Sequence, residues 1–293
     1  MTPHPIVTTQ DGFALAVTSY GDPATCRAGV LIAPAMGVEQ HYYAAFAQHL
    51  AQLGYWVMSF DYRGMGASRP AQFRRSLKGF EADVRTWAER DCAAMVAHMR
   101  AQLQDKRLLW VGHSLGGQIF GLVPNREQVT AMLTVASGSG YWLQNALRLR
   151  LIVWWLWFFV VPLALPLFGY FPGRPLKKVG DLPRGVMRQW RDWCLHREYL
   201  IGCEGEAVRL SFARVPTPIF SLSFVDDELM SARSIESLHS FYVDAPRQMQ
   251  RIHPREVGAK RIGHFGFFRK RFADSLWPRA TQWLEQHLER KSA

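Results

Sequence analysis

The sequence predicts an α/β fold, in which a mostly parallel sheet carries helices on both faces and is interrupted by a helical insertion. Short apolar runs alternate with amphipathic runs over the first 140 residues, which is typical of a parallel sheet flanked by helices. This alternation stops near Tyr141 and resumes at residues 217–224. We therefore expect a core formed by residues 1–140 and 213–293, with residues 141–212 inserted as a helical lid.

Each element before the insertion has its own signal. Two β-rich runs on either side of Asp11-Gly12 predict a hairpin, because this dipeptide favours a tight turn. A helix over 42–54 places Phe46 and Leu50 on one face, and Gly54 suits its end. The remaining elements follow from apolar periodicity, and they are strands at 29–37, 55–64, 107–111 and 130–136 and helices at 80–103 and 115–122.

The segment after the insertion returns to the same pattern. The run TPIFSLSF predicts a buried strand at 217–224, and an acidic loop follows it. The remaining predicted elements are a helix over 231–241, a strand over 247–252 and a helix over 272–288.

The composition describes a folded protein with a sizeable core. The chain has 293 residues, of which 48% are hydrophobic and 20% charged, and this excludes a disordered or fibrous protein. The net charge of +11 raises the question of an anionic partner. The positive excess is divided between the insertion and the C-terminal segment, and no basic aromatic module is recognisable, so we expect no nucleic-acid partner.

The cysteines predict a reduced, cytoplasmic protein without structural disulfides. They are widely spaced and form no C-x-x-C metal pair, and the stretch MTPHPIVTTQDG lacks the charged and apolar parts of a signal peptide. The four cysteines are Cys26, Cys92, Cys194 and Cys203.

A G-x-S-x-G motif is the sharpest local signal. Gly112-His113-Ser114-Leu115-Gly116 follows an apolar strand directly and precedes a helix-forming stretch, which is the context that this motif requires. A tight strand-to-helix turn lifts a serine hydroxyl toward a base, so Ser114 is the predicted nucleophile. The alternative is that the glycines only close the turn and the serine caps the helix.

A serine nucleophile needs a histidine base and a carboxylate, which follow it in the chain order serine, acid, histidine. Five of the ten histidines precede Ser114, and three more lie in predicted helices. His264 and His253 remain. We favour His264, because it lies in a glycine-flanked loop before the last helix, whereas His253 closes a strand before a proline.

Two adjacent carboxylates follow the strand at 217–224. Asp226 and Asp227 lie between the serine and the predicted base, as the chain order requires. If the alternation of the strand continues, only one of them points inward. We favour Asp227 as the acid and keep Asp226 as the alternative; a third possibility is an ordinary acidic turn.

These motifs resemble those of the α/β-hydrolase superfamily, in particular its lid-bearing branch of monoacylglycerol lipases and serine aminopeptidase-like proteins. Residues 60–68, FDYRGMGAS, are similar to the D-x-R-G-x-G-x-S loop of such enzymes. Their acid motif, G-x-x-D-x-x-x-P, aligns with residues 224–231 and places Asp227 at the acid position, although both its glycine and its proline are replaced here. The whole sequence also resembles bacterial α/β hydrolases for which no substrate is implied.

The resemblance further implies an oxyanion hole made of two backbone amides. In the family the strand before this loop ends in His-Gly, and Pro34-Ala35-Met36-Gly37 occupies that place here. The amides of Met36 and Leu115 are the implied donors. Backbone donors tolerate a change of side chain, so the loss of His-Gly changes the loop without removing the hole.

The apolar run at 151–171 leaves three roles open. It is close to the roughly 20 residues that a membrane span needs, and Arg148, Arg150, Arg174, Lys177 and Lys178 flank it as interfacial anchors would. Pro162 and Pro166 interrupt it, and a span there would separate Ser114 from His264. We favour a lid packed over the active site, ahead of a lid that touches the membrane. Residues 184–199 fit a second, amphipathic lid helix.

These observations together predict an esterase or lipase-like serine hydrolase that cleaves carboxylic esters of apolar acyl groups. We expect neither an organic cofactor nor a metal, and a cytoplasmic location that includes the inner membrane face if the lid touches lipid. Two alternatives use the same residues: an acyltransferase, and a hydrolase-fold binding protein whose triad is silent. The sequence determines neither the oligomeric state nor the acyl length.

Overall fold

A computed structural model describes residues 5–145, 147–176 and 180–288, and it confirms the alternation of strands and helices. The strands of the described residues are β1 (Ile6–Thr8), β2 (Ala14–Tyr20), β3 (Gly29–Ala33), β4 (Trp56–Phe60), β5 (Leu108–His113), β6 (Ala131–Val135), β7 (Tyr170–Phe171), β8 (Leu182–Pro183), β9 (Ile219–Phe224) and β10 (Arg247–Ile252). Eight of them form one sheet in the order β1-β2-β4-β3-β5-β6-β9-β10, and β7 pairs with β8 in the lid.

The sheet is parallel from β4 to β10 and antiparallel at the β1–β2 edge. The predicted hairpin is confirmed, because Val7 of β1 lies opposite Leu15 of β2. All the parallel strands end at the same edge of the sheet. The loops that follow β3, β5 and β9 therefore come together, although they are distant in sequence.

The helices lie between these strands and in the insertion. They are α1 (Ala44–Gln52), α2 (Val84–Thr86), α3 (Ala93–Leu103), α4 (Leu115–Gln118), α5 (Leu147–Trp155), α6 (Val161–Phe168), α7 (Arg184–Leu195), α8 (Tyr199–Glu204), α9 (Glu206–Ala213), α10 (Ala232–His239) and α11 (Trp277–Glu285). Two π-helical turns, Trp87–Cys92 and Leu156–Val160, join α2 to α3 and α5 to α6.

Several predicted helix boundaries are wrong. The helix expected over 115–122 ends at Gln118, and the one expected over 184–199 ends at Leu195. Two other differences have a clear physical cause. The helix expected from residue 80 begins at Val84, because the Asp83 carboxylate caps it by accepting the Thr86 N–H at 2.7 Å. The helix expected over 272–288 is α11 alone. It begins at Trp277 because Pro278 has no N–H and fits only the first turn of a helix.

The core has two halves, one on each face of the sheet. Side chains alternate along β5, so Leu108 and Trp110 join the half that includes the lid, whereas Leu109 and Val111 pack toward α1 and α11. Both faces are covered, which explains why the central strands are continuous apolar runs. The lid belongs to the core through residues such as Trp193 and Leu200, which are buried in the first half.

Candidate active site

Ser114 stands at a strained turn between β5 and α4. Its φ of 49° and ψ of −110° lie in a region that side-chain-bearing residues rarely adopt, and its side chain is largely buried. The Ser114 N–H donates to the Val135 carbonyl at 2.9 Å, which ties the turn to β6. The serine thus occupies the end of a parallel strand, where the sheet edge can present its hydroxyl.

The glycines of the motif are required by close backbone packing. A Cβ on Gly116 would lie 2.0 Å from the Ala33 carbonyl oxygen, and one on Gly112 would lie 2.5 Å from the Gly117 nitrogen. Neither contact is possible without moving backbone, so only glycine allows the turn to approach β3 this closely.

His264 and Asp227 form a buried pair. The imidazole Nδ1 lies 2.9 Å from Oδ2 of Asp227 and 3.1 Å from its Oδ1. The Asp227 Oδ1 also accepts the N–H groups of Leu229 and Met230, each at 2.8 Å, which hold the carboxylate in place. Nδ1 therefore carries a proton toward the acid, and Nε2 is left to take a proton from a nucleophile.

Asp226 contacts the same loop in a different way. Its Oδ2 accepts the backbone N–H of Ile262 at 2.8 Å and of Gly263 at 3.2 Å, and among the hydrogen bonds of the described residues none joins Asp226 to the imidazole. Both neighbouring carboxylates thus bind the loop that carries His264. Asp226 accepts from backbone N–H groups of this loop, and Asp227 accepts from the His264 side chain.

Glu228 is a third acid at this loop, and no sequence motif predicts a role for it. Its Oε2 accepts the His264 N–H at 3.1 Å, and its Oε1 pairs with Arg261 at 3.2 Å. Burial raises the pKa of Glu228, but the backbone amides of Glu228 and His264 and the Arg261 guanidinium outweigh it, so the pKa lies below its usual value. Its position directly after Asp227 is the only sequence signal for this contact.

The nucleophile turn and the base loop are linked through His113, whose Nε2 lies 3.1 Å from the His264 carbonyl oxygen. Among the hydrogen bonds of the described residues, none joins the Ser114 hydroxyl to His264. Such a contact often tightens only when a substrate binds. His253, the alternative base, lies elsewhere: it is exposed and caps a 3-10 turn by accepting the Arg255 N–H at 3.1 Å.

Two backbone amides are free near the turn. In the described part of the chain, neither the Met36 N–H nor the Leu115 N–H donates a hydrogen bond, although both residues are buried. Gly37 follows Met36 with a φ of 71°, so the loop after β3 turns sharply at this point. Unpaired N–H groups at buried positions are costly, and an oxyanion would satisfy both.

The D-x-R-G loop is structural. Asp61 is buried and accepts the N–H groups of Gln40 and Ala67, at 2.8 and 2.9 Å. Arg63 pairs with the buried Asp91 and with Asp11, each at 2.7 Å. These contacts hold the loop after β4 against the core, so the motif acts on the site through the fold.

The apolar segment is one continuous helix, which we call the lid helix (Leu147–Phe168). The prolines do not break it: the π-helical turn Leu156–Val160 precedes Pro162, which lies in the first turn of α6, and Pro166 is accommodated inside α6. A proline lacks an N–H and its ring crowds the carbonyl four residues earlier, and the π-helical turn before Pro162 accommodates both effects. Residues 149–168 form the one helix of the described residues that has the length and hydropathy of a membrane span, with a mean hydropathy of 2.2.

The lid helix has one buried and one exposed face. Trp157 and Val161 are buried, and the Trp157 ring packs against Trp190 of α7 at 5.1 Å between ring centroids. The outer face is open: Leu151 is 76% exposed, Leu163 67% and Leu167 73%. Of the predicted flanking cations, Lys177 and Lys178 and the side chain of Arg148 lie outside the described residues. The predicted second lid helix is present as α7, but it ends at Leu195 and Tyr199 begins the next helix.

No group of three or more metal-binding side chains lies together in the described ranges. A cavity of about 470 Å³ lies between β1 and α3, and one of about 140 Å³ lies beside the His264 loop. Among the lid residues that the structure describes, none lines either of them.

The mostly parallel sheet, the serine at a strand-to-helix turn, and the acid and histidine on later loops define an α/β hydrolase with a lid. The chain belongs to the serine aminopeptidase S33 family, whose model matches residues 24–176, more than half of the chain. The expected resemblance is thereby confirmed. A search among curated proteins gave no match.

Solved structures share the whole fold at low sequence identity. A soluble variant of monoglyceride lipase from Saccharomyces cerevisiae has a TM-score of 0.64 and 14% identity, over 99% of this chain and 97% of that chain. A putative aryl esterase from Burkholderia cenocepacia has a TM-score of 0.60 and 17% identity, over 98% and 99%. Mouse alpha/beta hydrolase domain-containing protein 10 has a TM-score of 0.58 and 15% identity, over 96% and 98%.

Proposed function

We propose that this protein is a serine hydrolase that cleaves carboxylic esters of apolar acyl groups through an acyl-enzyme on Ser114. The observation that carries this proposal is the buried His264–Asp227 pair, 2.9 Å between Nδ1 and Oδ2, at the sheet edge where the strained Ser114 turn also lies. The strained turn presents the serine hydroxyl, and a base oriented by a carboxylate activates it. The esterase and lipase titles among the structural neighbours agree with this chemistry.

The mechanism follows from the arrangement of these groups. His264 Nε2 takes the hydroxyl proton as Ser114 Oγ attacks the acyl carbonyl, and Asp227 stabilises the resulting imidazolium through Nδ1. The amides of Met36 and Leu115 donate to the oxyanion of the tetrahedral intermediate. His264 then protonates the departing alcohol. In the second half of the reaction His264 takes a proton from water, the water attacks the acyl carbonyl, and His264 returns the proton to Ser114 Oγ as the acid leaves.

The test is covalent labelling with a fluorophosphonate, together with turnover of a medium-chain p-nitrophenyl ester. Ser114→Ala should lose both, with a thermal midpoint near that of the wild type. A matched control is Ser221→Ala, because Ser221 is buried in β9 and its hydroxyl has no hydrogen-bond partner in the described part of the chain. Labelling of Ser114→Ala, or an unlabelled wild type, contradicts the proposal; the second outcome favours a silent binding protein.

Acyl transfer uses the same residues, so product analysis separates it from hydrolysis. The enzyme is given the ester with glycerol or a thiol in excess, and the released acid is compared with the transferred acyl product. We expect free acid to dominate. Predominant transfer at low acceptor concentration would identify an acyltransferase.

A second role, contact with a membrane, is favoured by the exposed outer face of the lid helix. We propose that this face rests on an anionic lipid surface while the inner face stays packed on α7. Large apolar side chains make up the outer face, and they are Leu151, Ile152, Trp154, Trp155, Phe158, Phe159, Leu163, Leu167 and Phe168. Contiguous exposure of this kind is typical of helices that lie in the membrane interface.

Charge near the end of the lid helix supports an anionic occupant. Lys78 lies beside Gly169, which ends the helix, and the exposed Arg174, which also pairs with Asp181 at 3.3 Å, follows a few residues later. Basic residues beside an apolar face attract anionic headgroups by about 1 kcal/mol each. The buried Trp157–Trp190 contact supports a helix that lies on the membrane rather than across it.

Vesicle flotation tests this second role. The wild type should float with phosphatidylglycerol vesicles, less with phosphatidylcholine vesicles, and less again at high salt. Leu151→Asp with Leu163→Asp should abolish flotation, whereas Val243→Asp should not, because Val243 is equally exposed, at 64%, but lies outside the lid. A wild type that binds neither kind of vesicle contradicts membrane contact, and it favours a lid that only covers the active site.

A further inference from the structure

Three consecutive hydrogen bonds join three segments that are far apart in sequence. The Ala35 N–H lies 2.8 Å from the Tyr43 hydroxyl, which lies 3.0 Å from Nδ1 of His113. The His113 Nε2 lies 3.1 Å from the carbonyl oxygen of His264. Ala35 precedes Met36 in the loop after β3, and His113 is the last residue of β5, directly before Ser114. One side-chain pair therefore contacts all three parts of the proposed active site.

The partners determine where each proton lies. The His264 carbonyl oxygen only accepts, so His113 Nε2 carries a hydrogen and donates it. In a neutral imidazole Nδ1 is then an acceptor, and the Tyr43 hydroxyl donates to it. The Tyr43 oxygen accepts in turn from the Ala35 N–H, which has no other role as a donor here. One neutral tautomer of His113 therefore satisfies every polar atom in this series of hydrogen bonds.

Burial keeps His113 in this neutral tautomer. His113 and Tyr43 are both fully buried, and the loss of water, with the nearby His264, lowers the pKa of His113 well below its usual value. A protonated His113 would turn Nδ1 into a donor and leave the Tyr43 hydrogen without its acceptor. The aromatic packing of Tyr43 on Phe268, with ring centroids 4.8 Å apart, further restricts the tyrosine.

We propose that His113 and Tyr43 are positioning residues, which hold the oxyanion loop, the nucleophile turn and the base loop in one geometry. This proposal rests on the proposed function, because it concerns how the same site is aligned. His113 touches the base loop through the backbone of His264, so its loss displaces the imidazole without removing it. A misalignment of about 1 Å between base and nucleophile lowers the rate of the chemical step by about 100-fold.

The test compares variants that keep or remove the hydrogen bonds. His113→Phe fills the space without polar atoms and should lower kcat about 10-fold to 100-fold, with KM changed less than about twofold. His113→Gln carries an NH₂ donor group and an oxygen acceptor, and it should restore kcat to within about threefold of the wild type. Tyr43→Phe should also lower kcat. The double variant of His113→Phe with Tyr43→Phe should lose no more kcat than the worse single variant, because both residues act through the same series of hydrogen bonds.

A matched control is available in another buried histidine. His239 bonds to Thr134 Oγ1 at 2.9 Å and to the Ile235 carbonyl at 2.7 Å, so His239→Phe should destabilise the fold without lowering kcat of the folded fraction. His113→Phe protein that is folded and fully active contradicts this proposal alone. Failure of His113→Gln to recover activity also contradicts it. A wild type without labelling or turnover contradicts the proposed function and this proposal together.

Discussion

Asp227 and Asp226 are neighbours in sequence, yet only Asp227 contacts the imidazole of His264. The Asp227 Oδ2 lies 2.9 Å from Nδ1, whereas the Asp226 Oδ2 accepts the backbone N–H groups of Ile262 and Gly263. One carboxylate can therefore hold the tautomer of the base, and the other holds the shape of the loop that carries it. This division makes their removal distinguishable by experiment.

The first prediction compares the two acids. Asp227→Asn should lower kcat by about 10⁴-fold, because an amide favours the wrong imidazole tautomer and cannot stabilise the imidazolium. Asp226→Asn should lower kcat by less than tenfold, because an amide oxygen still accepts the two backbone N–H groups. The measurement is kcat for a soluble ester, on variants whose circular dichroism matches the wild type. Equal losses would show that Asp227 is not the acid.

The second prediction concerns the base. His264→Ala should lose several orders of magnitude in kcat/KM, since the general base is removed. His253→Ala should keep its activity and lose about 1 kcal/mol of stability, because His253 is an exposed cap of a short turn. Ester turnover and the midpoint of urea denaturation measure the two effects. A larger loss of turnover in His253→Ala would move the base to that residue.

The third prediction concerns the turn that carries Ser114. Gly116→Ala should destabilise the protein by about 3 kcal/mol or more, because its Cβ would lie 2.0 Å from the Ala33 carbonyl oxygen. Gly258→Ala is the control: no atom lies within 4 Å of its added Cβ, and its positive φ of 63° costs only about 1 kcal/mol. Urea denaturation of both variants checks this, and similar midpoints would contradict the close packing.

The fourth prediction concerns pH and His239. Burial lowers the pKa of His239 to about 4, against 6.5 for an ordinary histidine, so the unfolded chain binds the proton more strongly. The stability that depends on neutral His239 is fully present above pH 6.5 and is lost as the pH falls toward 4, by up to about 3 kcal/mol. His239→Gln cannot titrate, so its unfolding free energy should fall less between pH 7 and 4.5. Urea curves that shift in parallel for both proteins would disprove this linkage.

The sequence by itself determined the α/β alternation, the Ser114 turn and the loop that holds His264. These features depend on local rules: side chains alternate along a buried strand, and a glycine pair with a serine between them needs only a strand before it and a helix after it. Gly112 shows this, because the atoms that its added Cβ would meet belong to Gly116 and Gly117, whereas the need for glycine at position 116 comes from Ala33 of β3 and is therefore tertiary.

Only the tertiary structure shows that Asp227 hydrogen-bonds the His264 imidazole, whereas Asp226 accepts from backbone N–H groups. The strand β9 ends at Phe224, so its alternation stops before either carboxylate and the period of two does not apply to them. The structure likewise decided that Pro162 continues the lid helix, since a π-helical turn precedes it. It also joined Tyr43, His113 and His264, whose contacts cross between the loop after β3, the end of β5 and the last loop before α11. Hydrogen bonds between such distant segments depend on how the strand ends meet in space, and no periodicity along the chain records that.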